Sequence, residues 1–286
     1  MTISEQIRTA SALLKNARIE SPRLDAQILF GFVLGVSRER LILDDHLEIT
    51  LEQAQIFADL IARRAKNEPI AYIIAKKEFL SLDFIVNHDT LIPRPDSEIL
   101  VEVAIKLAKD LLKIRAETLQ ILDIGTGSGC LPIAFLSEIE QAYAVAVDIS
   151  EGALQIAKQN AALNKVSDRI GFVRSNWCDS IKGKFDIILS NPPYIKYADA
   201  QMLASDVVDF EPHKALFADS NGLAAYEILA SQVKERLNSQ GYVLFEVGDG
   251  QAPEVANILQ KVGLKIEAIE KDLAGKQRCV IASNIQ

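Results

Sequence analysis

Residues 121–130 read ILDIGTGSGC, an apolar run followed by three glycines at alternate positions, Gly125, Gly127 and Gly129. Glycines between a strand and a helix let the backbone turn tightly and let a ligand approach it closely. The spacing lacks the third glycine of the dinucleotide fingerprint G-x-G-x-x-G, and no Lys-Ser or Lys-Thr pair follows as in a P-loop. The stretch therefore predicts a strand–turn–helix unit whose loop binds a ligand, and it leaves the identity of that ligand open.

Strands and helices alternate around this unit. The predicted strands are 119–124, 143–148, 169–174, 185–190 and 242–247, followed by a hairpin of 265–270 and 278–283. The predicted helices are 98–113, 129–139, 151–163, 221–238 and 252–262. Such alternation is typical of a parallel sheet with helices on both faces, and the closing hairpin adds one antiparallel strand.

The first 75 residues have only helical patterns. Ser21 and Pro22 fit an N-cap and a first helical position, and Gly35 fits a helix end. Thr50 and Gln53 have the spacing of a capping box. We therefore expect a helical bundle over residues 1–75.

The stretch 76–91, KKEFLSLDFIVNHDTL, breaks the helical pattern because its apolar residues alternate with others. We expect a β-hairpin linker over 76–94, between the bundle and an α/β domain over 95–286. Neither a signal-peptide core nor an apolar run of membrane-spanning length occurs in the sequence, so no membrane partner is expected.

The charge and the cysteines narrow the class of protein further. The chain has a net charge of −8, and its Lys and Arg residues are scattered. It therefore lacks the basic stripe that is typical of a nucleic-acid-binding protein. Cys130, Cys178 and Cys279 lie far apart, which favours a reducing cytoplasm and argues against a zinc site.

Asp148 ends the strand that follows the glycine loop. An acidic side chain at this point can accept hydrogen bonds from both ribose hydroxyls of a nucleoside. The alternative is a role at the start of the next helix, which Ser150 and Glu151 open. The glycine loop and an acidic residue at the end of the next strand occur both in proteins that bind NAD(P) and in proteins that bind S-adenosylmethionine. These two features therefore do not distinguish between the two ligands.

The strand 185–190 ends in SNPPY, residues 190–194. The two prolines restrict the backbone to an extended conformation, so Asn191 and the neighbouring carbonyls are held rigidly at the strand end. This strand should flank the glycine strand on its other side, at the switch point where open α/β sheets bind ligands. The combination resembles the amino-methyltransferases that use S-adenosylmethionine, in which an [Asn/Asp]-Pro-Pro-[Tyr/Phe] motif holds a planar nitrogen substrate.

The residue types of this motif suit the chemistry. An amide nitrogen is a poor nucleophile because its lone pair is delocalised. The side-chain oxygen of Asn191 and the carbonyl of Pro192 can accept its two hydrogens and favour a more tetrahedral nitrogen. Tyr194 can stack its ring on the planar group. Positioning then carries most of the catalysis, and neither a metal nor a covalent intermediate is required.

Along nearly its whole length the chain resembles the release-factor glutamine methyltransferases of the HemK/PrmC type. The matching stretches are EFLSLDF, LIPRPDSEILVE, ILDIGTGSG, AVDIS, SNPPYI, DFEPHKALFADSNGL and the DLAGKQR turn. The resemblance implies a Rossmann-like class I S-adenosylmethionine methyltransferase, with a seven-stranded, mostly parallel sheet preceded by a small helical bundle. It implies methylation of the amide N5 of the glutamine in the Gly-Gly-Gln loop of class I peptide-chain release factors, which tunes translation termination.

The family motifs assign roles by position. The cofactor residues are Gly125, Thr126, Gly127, Ser128, Gly129, Asp148, Asn176, Trp177 and Asn191. The substrate residues are Asn191, Pro192, Pro193 and Tyr194, of which Asn191, Pro192 and Tyr194 are the catalytic ones. The chain departs from the family's Ser-Asp-Trp-Phe, having Ser-Asn-Trp-Cys at 175–178, although Asn176 can still accept through its oxygen. No role follows for Glu211, and Arg94 is expected to pair with a carboxylate.

Other functions share some of these features. An adenine-N6 or guanine-N2 nucleic-acid methyltransferase would share NPPY, and a ribosomal-protein glutamine methyltransferase belongs to a sister family. A NAD(P)-dependent oxidoreductase would share the glycine loop. We expect a monomeric cytoplasmic enzyme whose bundle docks the release factor and which does not bind nucleic acid directly.

Overall fold

The computed structural model describes residues 1–115 and 118–284, which form two compact units. The first unit comprises Met1–Lys76 together with Ala204–Phe210. The second comprises Lys77–Leu203 and Glu211–Gln286. A segment far along the chain thus groups with the N-terminal residues, which no local pattern in the sequence indicates.

The first unit is helical, as the sequence predicts. Its N-terminal helices are α1 (Ile3–Asn16), α2 (Pro22–Leu34), α3 (Arg38–Leu43), α4 (Leu51–Arg64) and α5 (Ile70–Ile73). Capping boxes begin α1 at Thr2 and α4 at Thr50, and Gly35 ends α2 with a left-handed φ of 66°. Phe30 and Phe57 stack in the core with ring centroids 4.3 Å apart.

The remaining elements follow in chain order. The strands are β1 (Lys76–Phe79), β2 (Leu82–Ile85), β3 (Leu119–Ile124), β4 (Ala142–Asp148), β5 (Ile170–Arg174), β6 (Phe185–Ser190), β7 (Ile195–Lys196), β8 (Phe217–Ala218), β9 (Leu237–Glu246), β10 (Lys265–Lys271) and β11 (Gln277–Ser283). The helices are α6 (Glu98–Ile114), α7 (Cys130–Glu138), α8 (Glu151–Leu163), α9 (Ser205–Phe210), α10 (His213–Leu216), α11 (Asp219–Gly222), α12 (Ala224–Arg236) and α13 (Ala252–Lys261). Three-residue to six-residue 3₁₀ turns lie at Pro95–Ser97, Ser167–Arg169 and Tyr197–Met202.

Seven strands form one sheet in the order β10-β11-β9-β6-β3-β4-β5. The neighbours from β9 to β5 are parallel, whereas β11 runs antiparallel to both β9 and β10. The prediction of a mostly parallel sheet with a closing hairpin is confirmed. Strand β3 lies between β4 and β6. The strand order therefore reverses at β3, because β4 and β5 lie on one side of it and β6 lies on the other.

Two apolar clusters cover the two faces of the sheet. One contains residues of α6 and α7, and the other contains residues of α12 and α13. Phe79 of β1 and Phe84 of β2 are buried in the first cluster, with their rings edge to face at 6.2 Å. The predicted hairpin therefore contributes to the core of the second unit.

The structure departs from the sequence prediction near residues 219–242. The predicted helix 221–238 begins only at Ala224, because Ser220 and Asn221 have positive φ angles of 52° and 56° in the turn before it. Strand β9 begins at Leu237, five residues before the predicted start at Tyr242. The register between β6 and β9 is irregular here, so that residues 238–241 bulge between two paired positions.

Among the described residues, no helix combines the length and the apolar character needed to cross a bilayer. Within the same ranges, no group of three or more His, Cys, Asp and Glu side chains is placed to hold a metal ion.

Candidate active site

The carboxyl ends of β3, β4 and β6 border a cavity of about 800 Å³ in the second unit. The predicted site residues that line it are Gly125, Thr126, Gly127, Ser128, Asp148, Asn176, Trp177, Asn191 and Pro193. Three predicted residues, Gly129, Pro192 and Tyr194, are not among its lining residues. The fold therefore gathers motifs from three strands at one edge of the sheet, as expected for a switch point.

The three glycines of the loop have positive φ angles, of 77° at Gly125, 53° at Gly127 and 79° at Gly129. A Cβ added at Gly125 or Gly127 would meet no atom within 4 Å, so these two leave open space beside the backbone. A Cβ at Gly129 would lie 2.9 Å from Cδ1 of Ile133 and 3.1 Å from Cβ of Ala157. The third glycine thus permits close helix packing, while the first two leave room for a ligand.

Asp148 braces the loop. Its Oδ2 accepts from the backbone N–H of Gly127 at 2.9 Å, and its Oδ1 accepts from the backbone N–H of Ser150, also at 2.9 Å. The cap of helix α8 is Ser150, whose hydroxyl accepts from the backbone of Ala153 at 3.2 Å. Because each carboxylate oxygen has a further lone pair, Asp148 can also accept from two ribose hydroxyls.

Asp123 is a functional candidate that sequence reasoning missed. Its side chain is fully buried, and neither carboxylate oxygen has a hydrogen-bond partner among the described residues. Burial raises the pKa of Asp123 to about 7; the Thr126 hydroxyl opposes this shift and the charge of Asp148 adds to it. A cationic ligand group would supply the missing partner, and the ammonium of S-adenosylmethionine is such a group. The available signal was an aspartate inside an apolar strand just before the loop.

Asn176 and Trp177 follow β5 at the same edge. The amide nitrogen of Asn176 donates to Oδ2 of Asp179 at 3.3 Å, which leaves its oxygen free to accept. Trp177 is half-buried, has a positive φ of 49° and packs against the core while lining the cavity. Both positions are compatible with contacts to an adenine ring.

Asn191 directly follows β6, and its side-chain nitrogen donates to Oγ of Ser97 at 3.2 Å. That contact orients the amide and leaves the oxygen of Asn191 available as an acceptor. The neighbouring Ser190 donates its hydroxyl to the carbonyl of Ile124 at 2.7 Å, which joins the ends of β6 and β3. The strand end is therefore fixed both by its prolines and by side-chain contacts.

Tyr194 lines a second cavity, of about 550 Å³, in the same unit. Its hydroxyl donates to Oε1 of Glu246 at 3.4 Å, and its backbone carbonyl accepts from Nε2 of Gln251 at 3.1 Å. Burial raises the pKa of Tyr194 well above its usual value, so the hydroxyl stays protonated. The NPPY segment thus has Asn191 and Pro193 at one cavity and Tyr194 at the other.

Arg94 pairs with a carboxylate, as expected, and that carboxylate belongs to Glu211. The Glu211 side chain is only 1% exposed, and its Oε2 also accepts from the backbone N–H of Ile92 at 3.0 Å. Arg94 lines the first cavity. The stretches LIPRP and FEP, more than a hundred residues apart in sequence, are therefore joined at the edge of this cavity.

Two family models match the chain. The PrmC N-terminal domain matches residues 5–74, and the methyltransferase small domain matches residues 100–214.

Several curated relatives cover nearly the whole chain. The release factor glutamine methyltransferase of Rhodospirillum rubrum is 40% identical over 94% of this chain and 81% of its own length. That of Bradyrhizobium diazoefficiens is 38% identical over 98% of this chain and 94% of its own length. A bifunctional methyltransferase of Rickettsia typhi is 38% identical over 99% of this chain, but the chain spans only 58% of the length of that relative.

Solved structures show the same fold at low sequence identity. The hMettl16 catalytic domain in complex with MAT2A 3'UTR hairpin 6 has a TM-score of 0.56 and 19% identity, covering 80% of this chain and 83% of that chain. A methyltransferase from Pyrococcus furiosus has a TM-score of 0.51 and 18% identity, covering 80% of this chain and 100% of that chain. At such identities the likeness concerns the fold alone.

Proposed function

Since this chain belongs to the release factor glutamine methyltransferase family, we propose that it methylates the side-chain amide N5 of a glutamine, using S-adenosylmethionine as methyl donor. The substrate we propose is the glutamine of the Gly-Gly-Gln loop in class I peptide-chain release factors. The observation that carries this proposal is the Asn191 amide, held by Ser97 with its oxygen free beside the cavity.

The first cavity would hold the cofactor. Gly125 and Gly127 leave the loop backbone open to the ligand, Asp148 would accept from the ribose hydroxyls, and Asp123 would face the ammonium. The oxygen of Asn176 would accept from the adenine amino group, and Trp177 would line the adenine pocket. When bound, S-adenosylmethionine supplies a methyl group on a positively charged sulfur.

The NPPY segment would hold the substrate amide. The oxygen of Asn191 and the carbonyl of Pro192 would accept its two N–H hydrogens, which orients the nitrogen and localises its lone pair. We place the ring of Tyr194 beside the planar amide, on the side of the second cavity that this ring lines. Pro193 would keep the backbone extended between the carbonyl of Pro192 and the ring of Tyr194. On transfer, the nitrogen would gain the methyl group and lose one N–H proton to solvent, and the carbon–sulfur bond would break to leave S-adenosylhomocysteine as a neutral thioether.

The N-terminal helices would dock the release factor. Several large apolar side chains of this unit are exposed, including Ile42 at 62%, Leu43 at 69% and Leu51 at 92%. A contiguous exposed apolar patch is typical of protein interaction sites, and we propose that these side chains contribute to one. We propose a monomeric cytoplasmic enzyme that grips a folded protein by this surface.

A labelling experiment tests the substrate. The full chain is incubated with methyl-labelled S-adenosylmethionine and, separately, with intact release factor, ribosomal protein, tRNA or DNA. We expect label in release factor alone, and none in a release factor whose loop glutamine is replaced by alanine. Label in another polymer, or in the glutamine-free release factor, would overturn the proposal.

Surface variants of the full chain test the docking role. Leu43→Ser together with Leu51→Ser should raise the KM for release factor and leave S-adenosylmethionine binding unchanged. Ile228→Ser is the matched control, because Ile228 is an exposed apolar residue of the other unit, at 46%. An unchanged KM in the double variant would remove the docking role from this surface.

A further inference from the structure

The side chain of Gln251 joins the end of the NPPY segment to the turn that follows β9. Its Nε2 donates to the backbone carbonyl of Tyr194 at 3.1 Å, and its Oε1 accepts from the backbone N–H of Gly248 at 3.0 Å. Gln251 and Tyr194 both line the second cavity, whereas the cofactor would occupy the first. The proposed reaction leaves this contact without a role.

The turn fixes the orientation of the Gln251 amide. In residues 248–251 the backbone N–H of Gln251 donates to the carbonyl of Gly248 at 3.1 Å, and Gly250 has the positive φ, of 80°, that a type II turn requires. Because the N–H of Gly248 can only donate, it meets the amide oxygen, and the NH2 group is left facing the carbonyl of Tyr194. The opposite orientation would place two donors together at Gly248 and two acceptors together at Tyr194. The amide therefore fits in one orientation, with its donor on Tyr194.

Two buried glycines enclose this hydrogen bond. A Cβ added at Gly222 would overlap the carbonyl oxygen of Tyr194 and lie 2.6 Å from Nε2 of Gln251. A Cβ added at Gly248 would lie 2.6 Å from Oε1 of Gln251 and 3.0 Å from Cδ2 of the Tyr194 ring. The turn that brings Gly222 to Tyr194 has positive φ angles of 52°, 56° and 84° at residues 220–222. Such angles are costly for residues other than glycine and are often found at clamps around a ligand.

The NPPY segment is thereby held at both ends. At its start the side-chain nitrogen of Asn191 donates to Ser97 at 3.2 Å, and at its end Gln251 donates to the carbonyl of Tyr194. The two prolines between these contacts have restricted φ angles. The carbonyl of Pro192 and the ring of Tyr194, which we propose to contact the substrate amide, therefore depend on both contacts for their positions.

We propose that Gln251 is a positioning residue for methyl transfer: through its hydrogen bond to the carbonyl of Tyr194, it holds the Pro192 carbonyl and the Tyr194 ring where the substrate amide needs them. The proposal deepens the function proposed above and rests on it for the identity of the substrate. Groups that are held in place accelerate a reaction because they need no reorganisation, and a displacement of about 1 Å can cost about 100-fold in rate.

Two substitutions of Gln251 test the hydrogen bond. Gln251→Glu keeps the size of the side chain and an oxygen for the N–H of Gly248, but it replaces the donor to Tyr194 by an acceptor. Gln251→Ala removes both contacts. We expect each to lower kcat on release factor roughly 10-fold to 100-fold, with little change in the KM for release factor.

The same titration that measures cofactor affinity corrects for unfolded protein. The dissociation constant of S-adenosylhomocysteine should not change in either variant, because Gln251 lines the second cavity. The number of binding sites from this calorimetric titration gives the folded fraction, and kcat is expressed per site. A loss of folded protein alone then leaves kcat unchanged, whereas a displaced NPPY segment lowers it.

Gln260→Glu is the matched control, because Gln260 is an exposed glutamine of α13, the helix that follows Gln251. The control should keep the kcat of the unchanged chain. A kcat in Gln251→Glu equal to that of the control would overturn the proposal.

Gly248→Ala covers the case in which the Gln251 variants do not fold. It keeps Gln251, and its added Cβ would displace the Gln251 amide and the Tyr194 ring. We expect a lower kcat per binding site here too, and an unchanged kcat would overturn the proposal.

A measurement without substrate or cofactor separates this inference from the proposed function. The sequence contains Tyr-Ile at 72–73 and 194–195, so a chain with isotope-labelled tyrosine carbonyl carbons and isoleucine nitrogens gives one carbonyl–nitrogen cross-peak for each pair. The cross-peak of Tyr194 is the one missing from Tyr194→Phe. It should shift in Gln251→Glu and stay in place in Gln260→Glu, while the cross-peak of Tyr72 stays in place in both.

The two possible failures are then distinct. A Tyr194 cross-peak that does not shift in Gln251→Glu overturns the positioning role, whether or not release factor is methylated. A shifted cross-peak in a chain that fails to methylate release factor supports the contact of Gln251 with the NPPY segment and instead overturns the proposed substrate.

Discussion

Asp148→Ala is expected to weaken cofactor binding, because one side chain serves both the ligand and the loop that holds it. The carboxylate accepts from the backbone N–H groups of Gly127 and Ser150, each at 2.9 Å. Asp148 lines the cavity, where its remaining lone pairs would be available to the ribose hydroxyls. The substitution removes the ribose acceptors and leaves the N–H of Gly127, in a loop with a positive φ of 53°, without its partner.

The size of the effect follows from the hydrogen bonds that the substitution removes. A hydrogen bond to a charged group contributes about 1.5–3 kcal/mol. This corresponds to a rise of about 10-fold to 150-fold in the dissociation constant. Loosening of the loop acts in the same direction, so the upper part of this range is expected. Asp148→Asn should have a comparable effect, since its NH2 group would face one of the two backbone N–H donors.

Calorimetric titration with S-adenosylhomocysteine measures the effect directly. Asp168→Ala is the matched control, because Asp168 is an exposed carboxylate in the turn before β5. The control should bind as the unchanged chain does, and both proteins should have similar melting temperatures. A dissociation constant in Asp148→Ala equal to that of the control would refute the argument and reduce Asp148 to a structural residue.

Three further substitutions test other parts of the site. Asn191→Ala should leave cofactor affinity nearly intact and lower methyl transfer roughly 100-fold or more, the scale for losing one positioned group. Near-normal turnover would exclude Asn191 from the clamp. Arg94→Ala should lower the free energy of unfolding in urea by about 3–5 kcal/mol, because Glu211 then stays buried with the N–H of Ile92 as its remaining partner. Arg94→Lys should lower the free energy of unfolding by less, and an equal loss in the two variants would refute the role of the paired guanidinium. Asp123→Asn should stabilise the ligand-free chain above pH 7 but not below pH 4. The reason is that Asp123 has a pKa of about 7 in the folded chain, so the stability of the unchanged chain falls as the pH rises from about 4 to 7. A difference in melting temperature that does not vary with pH would contradict this last expectation.

The larger part of the fold could be predicted from local patterns. The limits of β3 at 119–124 and of α8 at 151–163 agree with the prediction, since apolar periodicity and capping residues act over a few positions. The predicted limits were wrong at residues 221–223 and 237–241, where three successive positive φ angles precede the helix and a bulge interrupts β9. The short pair β7–β8 was not predicted, because two-residue strands have no periodicity of their own.

Local sequence patterns specify most of the longer elements, their order, and the motifs at the ends of β3, β4 and β6, since each depends on neighbouring residues. Which distant side chains meet depends on how the elements pack. Ser97 reaches Asn191 across 94 positions, and Arg94 reaches Glu211 across 117. The same holds for the burial of Asp123 and Glu246, whose pKa values near 7 arise from the removal of water by residues far along the chain. A carboxylate in a sequence has no environment until the sheet is assembled, because desolvation and hydrogen-bond partners depend on three-dimensional packing.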